Sequence, residues 1–206
     1  MIRMARTQGS RAEITGPLIR THAQALFARE GFAAVSMRQI AASVGVQVGT
    51  IYGYTADKQA LLADLLVDHM ERLLTAWSDD AGLDPVARLD RFVTFHIRFS
   101  LDHPDAVFLS YMELRNLTDA NHATVSRLRR DYEDALQDIL TAGQAQGTMA
   151  VDDTRLATMA LIAMLTGVTN WYRDGGRLDR ERVAAIYCNL ARGAVGAPPL
   201  EQGAAR

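Results

Sequence analysis

Apolar residues recur at i, i+3 and i+4 along nearly the whole chain, and no run of alternating β-branched residues bounded by turns occurs. A chain with this period can bury its apolar atoms only as helices. An all-α protein is therefore expected. At 206 residues and 49% apolar content the chain has material for one large core or two small ones, and whole-chain disorder is excluded.

Punctuating residues divide the pattern into about nine helices. Gly16-Pro17 opens the first, which places Ile19, Ala23, Leu26 and Phe27 on one face and closes at Gly31. Ser36 suits the N-cap of a short helix containing Met37, Ile40 and Ala41; Gly45 breaks it, and another short helix follows from about Gln47 to Tyr54. A longer helix runs from Asp57 to about Trp77, with Leu62, Leu65, Leu66, Met70, Leu73 and Trp77 inward. Asp84-Pro85 starts the next, whose Leu89, Phe92, Val93, Phe95, Ile97 and Phe99 suffice for burial on more than one side. His103-Pro104 ends it and begins a helix through Met112 to about Leu117. Thr118 caps a long charged helix from Asn121 to about Gln146, whose Arg127, Arg129, Arg130, Asp131, Glu133 and Asp134 point to a solvated face.

The stretch from Leu156 to Trp171 carries no charge over sixteen residues, and Gly175-Gly176 separates it from a helix running from Asp179 to about Ala194. A bilayer core needs roughly 20 apolar residues, and Thr158, Thr166, Thr169 and Asn170 dilute this run. Burial against other helices is expected, and no membrane. Ala160, Ala163 and Gly167 form a small-residue face, and Val183, Ile186, Tyr187 and Leu190 form an apolar stripe on the following helix. Two copies of such a pair can close a four-helix bundle, which makes a homodimer the expectation. The alternative is that both helices cover the core of a monomer.

The net charge of −2 conceals an asymmetry. Residues 1–58 carry seven basic residues against three acidic ones, and the remainder carries fifteen against twenty-one. A basic first quarter on an acidic body suggests a small anion-facing module, although a difference of this size also arises by chance. Cys188 is the only cysteine, which excludes an intrachain disulfide, and no Cys/His cluster has zinc-ligand spacing. With no apolar h-region behind MIRMARTQGSRAE, a cytoplasmic protein without metal or cofactor is expected.

Residues 36–58 carry the most specific signal. A helix of about eight residues, a turn of about three centred on a glycine, and a second helix of about eight has helix-turn-helix spacing. Ile40, Ala41, Val46 and Ile51 can pack the two helices together and leave Arg38, Gln47, Val48, Thr50, Tyr52 and Tyr54 outward. Hydroxyls and a lysine suit phosphates; arginine and glutamine can bind guanine and adenine edges in pairs, and valine can meet a thymine methyl. Lys58, the only lysine in the chain, stands at the end of this stretch.

Leu26-Phe27-Ala28-Arg29-Glu30-Gly31-Phe32, Ser36-Met37-Arg38-Gln39-Ile40-Ala41, Gly45-Val46, Gly49-Thr50-Ile51-Tyr52 and Lys58 with Leu61-Leu62 together resemble the N-terminal domain of the TetR family of repressors, unbroken over residues 19–62. The resemblance implies a helix-turn-helix domain at 12–58, a helical ligand-binding and dimerisation domain at 59–196, and flexible tails at 1–11 and 197–206. It implies a homodimer on a palindromic operator in double-stranded DNA. Arg38 and Gln47 become the base readers, with Val48 and the Gly49 backbone near the groove floor; Ser36, Thr50, Tyr52, Tyr54 and Lys58 become the phosphate contacts. Two residues depart from the family pattern. Thr55 replaces a usual aromatic, which implies looser packing of the fourth helix, and Gln47 replaces a small N-cap residue. Tyr52 as a core aromatic and Arg38 as an ordinary solvated side chain remain the alternatives.

Asn170-Trp171-Tyr172-Arg173, Gly175-Gly176-Arg177-Leu178 and Glu113-Leu114-Arg115-Asn116-Leu117 resemble a branch of the family that responds to acyl-CoA thioesters, among them regulators of fatty-acid and steroid breakdown. A small-molecule effector is implied. His96, Phe99, Tyr111, Met112, Met164, Asn170 and Trp171 are the candidate pocket lining, and Arg115 or Arg173 could meet an anionic end. Equally, His96 suits a hydrogen-bonded core position, Met164 a core filler and Arg173 a helix C-terminus. A ligand-responsive repressor without enzymatic activity is expected. The alternatives are an acyl-thioester enzyme with a vestigial helix-turn-helix, for which no nucleophile or acid/base pair is recognisable, and a helical interaction protein that does not bind DNA.

Overall fold

A computed structural model describes residues 8–200, with side chains from residue 13 onward. The described residues contain no strand. The helices are α1 (Gln8–Glu30), α2 (Met37–Val44), α3 (Val48–Ile51), α4 (Lys58–Ala76), α5 (Pro85–Asp102), α6 (Pro104–Met112), α7 (Asp119–Ala145), α8 (Thr154–Thr166), α9 (Val168–Trp171) and α10 (Arg180–Ala194), with a 3-10 turn at Leu114–Asn116. If α9 is counted as the continuation of α8 past Gly167, the described residues form nine helices. No helix among them is long and apolar enough to cross a membrane. The chain divides into two compact units, Met1–His69 with Phe108–Val125 and Met70–Val107 with Ser126–Arg206.

In the first unit Ile19, Ala23 and Phe27 of α1, Ile40 of α2, Ile51 of α3 and Leu62 of α4 are fully buried. Each large side chain of this kind contributes about 1.5–3 kcal/mol by leaving water. Phe27 and Phe32 meet edge to face at 5.3 Å. α1 begins at Gln8, ahead of the expected Gly16-Pro17, so Pro17 lies inside the helix, where its ring leaves the Glu13 carbonyl without the usual amide partner. Residues 8–11, expected as part of a tail, are thus helical; residues 1–7 lie outside the described part.

α2 is bounded by its own sequence. Ser36 and Gln39 form a reciprocal capping box, and Gly45, at φ 78°, ends the helix by donating to the carbonyls of Ala41 and Ala42. α3 is shorter than the expected 47–54: Gln47 supplies no side-chain cap, and the chain leaves the helix after Ile51 through turn bonds from Gly53 to Thr50 and from Tyr54 to Ile51. α4 starts where the Asp57 carboxylate accepts from the Ala60 amide at 2.8 Å.

The second unit is organised around α5, which packs on α8, α9 and α10. Leu89, Phe92, Val93 and Ile97 are fully buried, whereas Phe95 and Phe99 are only half-buried. Phe92 stacks on Tyr132 of α7 at 5.0 Å. Asp84, Asp153 and Asp179 cap α5, α8 and α10 by accepting amide hydrogens, each worth about 1 kcal/mol. After α10 the chain turns back: Arg192 donates to the Pro198 carbonyl at 2.9 Å and the Leu200 amide to Asn189 Oδ1 at 2.9 Å. Residues 197–200, expected as part of a tail, therefore lie bonded to α10, and 201–206 fall outside the described residues.

Candidate nucleic-acid interface

Ile40, Ala41 and Ile51 form the buried side of α2 and α3. The opposite side carries Ser36, Arg38, Gln47, Gly49, Thr50, Tyr52 and Tyr54, all exposed, with Val48 half-buried. Tyr52 is 54% exposed and so is not a core aromatic. Tyr54 rests on α1, since a Cβ on Gly16 would lie 3.3 Å from its ring. The side chains of Arg38, Gln47 and Thr50 make no hydrogen bond with the described residues. Gly49 has no positive φ, and a Cβ there would meet nothing within 4 Å. Neither conformation nor internal packing therefore requires a glycine that costs a helix about 1 kcal/mol relative to alanine.

Lys58 has an internal role that its expected phosphate contact did not anticipate. Its ammonium donates to the carbonyls of Phe32 at 2.8 Å and Val35 at 2.7 Å, and lies 4.3 Å from the centre of the Phe32 ring. Two of its three hydrogens thus tie α4 to the α1–α2 turn, leaving one for an external anion. Thr55 is buried, and its hydroxyl donates to the Asp57 carbonyl at 3.0 Å, closing the turn before α4 with a hydrogen bond in place of a ring. Sequence reasoning passed over Glu113 as a site residue. It is buried, and Oε1 accepts from the Phe32 amide at 3.1 Å.

The expected pocket residues fall in both units. Tyr111, Met112 and Arg115 are exposed and belong to the first unit, and the other six to the second. His96 is buried, with Nδ1 3.1 Å from the Tyr132 hydroxyl and Nε2 3.2 Å from that of Thr166, as a satisfied core histidine would be. Met164 is half-buried on α8, and Asn170 is exposed. Trp171 stacks on Tyr187, rings 6.4 Å apart, and its indole N–H donates to the Tyr187 hydroxyl at 3.3 Å. Exposed Arg173 donates to the Tyr172 carbonyl at 2.7 Å. A groove of about 560 Å³ in the second unit instead has Trp77, Phe95 and Phe99 as its aromatic side, with Arg91 and Arg98 among its other lining residues. Trp77 and Phe95 lie 5.3 Å apart and Phe95 and Phe99 5.6 Å. Phe99 is the one member of the expected set that lines it.

On the last helices, Ala160, Ala163 and Leu190 are exposed and Gly167 and Ile186 half-buried. Val183 and Tyr187 are buried within the protomer, so their apolar surface already serves its own core. Leu156 and Met159, which the small-residue pattern overlooked, are 60% and 47% exposed on the same helix face as Ala160 and Ala163.

Residues 19–65 match the family model of bacterial regulatory proteins, tetR family, and residues 82–195 match that of the tetracyclin repressor-like C-terminal domain. The chain is 26% identical over 180 residues to the HTH-type transcriptional repressor KstR2 of Rhodococcus jostii strain RHA1, covering 85% of this chain and 88% of that protein. Its fold superimposes on a bacterial regulatory protein in the tetR family from Rhodococcus RHA1 with a TM-score of 0.85, at 26% identity over 90% of this chain and 98% of the other. AibR, solved in complex with isovaleryl coenzyme A and operator DNA, shares the fold at a TM-score of 0.75 and 20% identity, covering 85% of this chain and 97% of that one. With both its N-terminal and C-terminal portions matched in order, the chain belongs to the tetR family of bacterial regulatory proteins.

Proposed function

We propose that this regulator is a ligand-responsive repressor acting in the cytoplasm, which binds a palindromic operator as a homodimer and responds to an acyl-CoA or another amphipathic small molecule. The observation that carries the DNA-binding half is the exposed row on α2 and α3: the side chains of Arg38, Gln47 and Thr50 make no hydrogen bond with the described residues, and Gly49 leaves room that none of those residues fills. Arg38, Gln47 and Val48 read bases; Ser36, Thr50, Tyr52, Tyr54 and the remaining hydrogen of Lys58 hold phosphates. DNA reading belongs to residues 12–58 and effector binding and dimerisation to 59–196.

The effector half is supported by the relatives and by the groove. KstR2 is a repressor, and AibR was solved with both isovaleryl coenzyme A and operator DNA. The aromatic groove, lined by Arg91 and Arg98 together with Asp90 and Asp102, suits an amphipathic molecule. Selection from random duplex DNA, followed by fluorescence anisotropy at several salt concentrations, tests the DNA-binding half. A selected, inverted-repeat sequence whose affinity falls steeply with salt is expected, because bound phosphates release counterions. Sequence-blind or salt-independent binding would overturn it. A thermal-shift screen with acyl-CoAs tests the effector; no stabilisation by any CoA ester removes that class alone.

A further inference from the structure

The turn between α1 and α2 is held from a distant part of the sequence. Glu113, between α6 and the 3-10 turn, is 6% exposed, and its Oε1 accepts from the Phe32 amide across 81 residues of sequence. Its Oε2 accepts from Asn116 Nδ2, and the Gln59 amide group donates to the Asn116 carbonyl. Lys58 holds the carbonyls of Phe32 and Val35 from the other side. The backbone of the turn is thus fixed by a carboxylate on its N–H and an ammonium on its C=O groups. Three residues of sequence separate Phe32 from Ser36, the N-cap of α2, and Arg38 stands in the first turn of that helix.

A buried carboxylate is costly unless its oxygens are satisfied, and here two donors satisfy them. The bond to Phe32 also has a geometric consequence. The α1–α2 turn is the hinge about which α2 could tilt relative to α1, and the Glu113 bond adds to the restraint from Lys58 and from the Phe27–Phe32 contact. We propose that Glu113 is a positioning residue for operator binding: its carboxylate locks the α1–α2 turn in the geometry that aims Arg38, so the segment after α6 sets the affinity of the reading helices. This rests on the repressor reading above. The buried carboxylate, the ammonium bonds and the membership of residues 108–125 in the DNA-binding unit carry it together.

The test pairs operator affinity with hydrogen exchange at the Phe32 amide in the full-length chain. Glu113→Ala is expected to accelerate exchange at Phe32 selectively, and to weaken binding roughly tenfold on every operator variant alike, the size of one hydrogen bond to a charged group. Glu113→Gln, whose amide oxygen can still accept from Phe32, should recover most of both losses. Should Glu113→Ala not fold, Glu113→Asp keeps the charge but withdraws the oxygen by one methylene, and it should lose affinity as the alanine variant would. Wild-type affinity in Glu113→Asp or Glu113→Ala overturns the proposal, as does a loss in Glu113→Gln as deep as in the others. A purely structural role would lower the melting temperature without moving affinity measured well below it. If the wild-type chain selects no DNA sequence, the repressor reading fails, and exchange at Phe32 still decides whether Glu113 holds the turn.

Discussion

Gly143 lies directly against Met149: a Cβ at Gly143 would come within 2.5 Å of the methionine sulfur and 2.7 Å of its Cγ. Met149 is buried, and the amides of Thr148 and Met149 both donate to the Gly143 carbonyl, so the side chain and its backbone are held together. Gly143 nevertheless sits inside α7, where alanine would be favoured by about 1 kcal/mol on propensity alone. Packing outweighs propensity here. Gly143→Ala is expected to lose about 1–3 kcal/mol of stability through overpacking, read from urea denaturation. A more stable variant would mean that Met149 moves aside freely.

Asp79 and Arg88 form a two-point ion pair beside the N-terminus of α5. The hydrogen bonds from Arg88 hold the Asp79 carboxyl below its ordinary value of 3.8, against the opposing effect of burial. A carboxyl depressed in the folded state stabilises it above the unfolded pKa, and that contribution is lost as pH falls through the folded value. Asp79→Asn should therefore be less stable than the wild type at neutral pH. The two melting temperatures should converge as pH drops below about 4; a gap independent of pH would show that the charge contributes nothing.

How far the fold was legible follows from which residues act locally. The caps at Ser36, Asp84 and Thr118 and the glycine stop at Gly45 are sequence-local, and the helices begin and end near them. Arg38 and Thr50 were readable as outward because they stand two residues from Ile40 and one from Ile51, off the buried face that these strongly apolar residues define. Glu113 and the internal bonds of Lys58 were not readable, since their partners lie 81, 26 and 23 residues away and no local pattern announces them. The same limit applies to His96 among the pocket candidates. His96 meets Tyr132 and Thr166 across gaps of 36 and 70 residues, which a single helix pattern does not encode.

Arg38 and Lys58 should separate in their effects on operator binding. Arg38 is exposed and its side chain makes no hydrogen bond with the described residues, so Arg38→Ala should leave stability within about 0.5 kcal/mol of wild type. Its loss should fall on one base position of each half-site, about 1–3 kcal/mol. Lys58→Ala removes two carbonyl bonds as well as a charge, and should lower both the melting temperature and the affinity for every operator variant. Identical specificity profiles for the two variants would contradict this division.

The dimer reading places its strongest demand on α8. Leu156, Met159, Ala160 and Ala163 share one exposed face, and Leu190 of α10 is 51% exposed. Leu156 and Met159 cost free energy in water and serve no core of their own, whereas pairing the face with its copy about a two-fold axis would remove them from solvent. A carboxylate at the centre of such an interface meets its own symmetry mate in a dehydrated setting. Met159→Glu should therefore sediment at the 22.6 kDa chain mass while the wild type sediments at twice that. Because Met159 is exposed in the protomer, the helical circular dichroism of the variant should be unchanged. Its affinity for a full operator should drop to that for an isolated half-site, since the second half-site is no longer delivered by the same assembly. A Met159→Glu chain that stays dimeric would place the interface on some other surface.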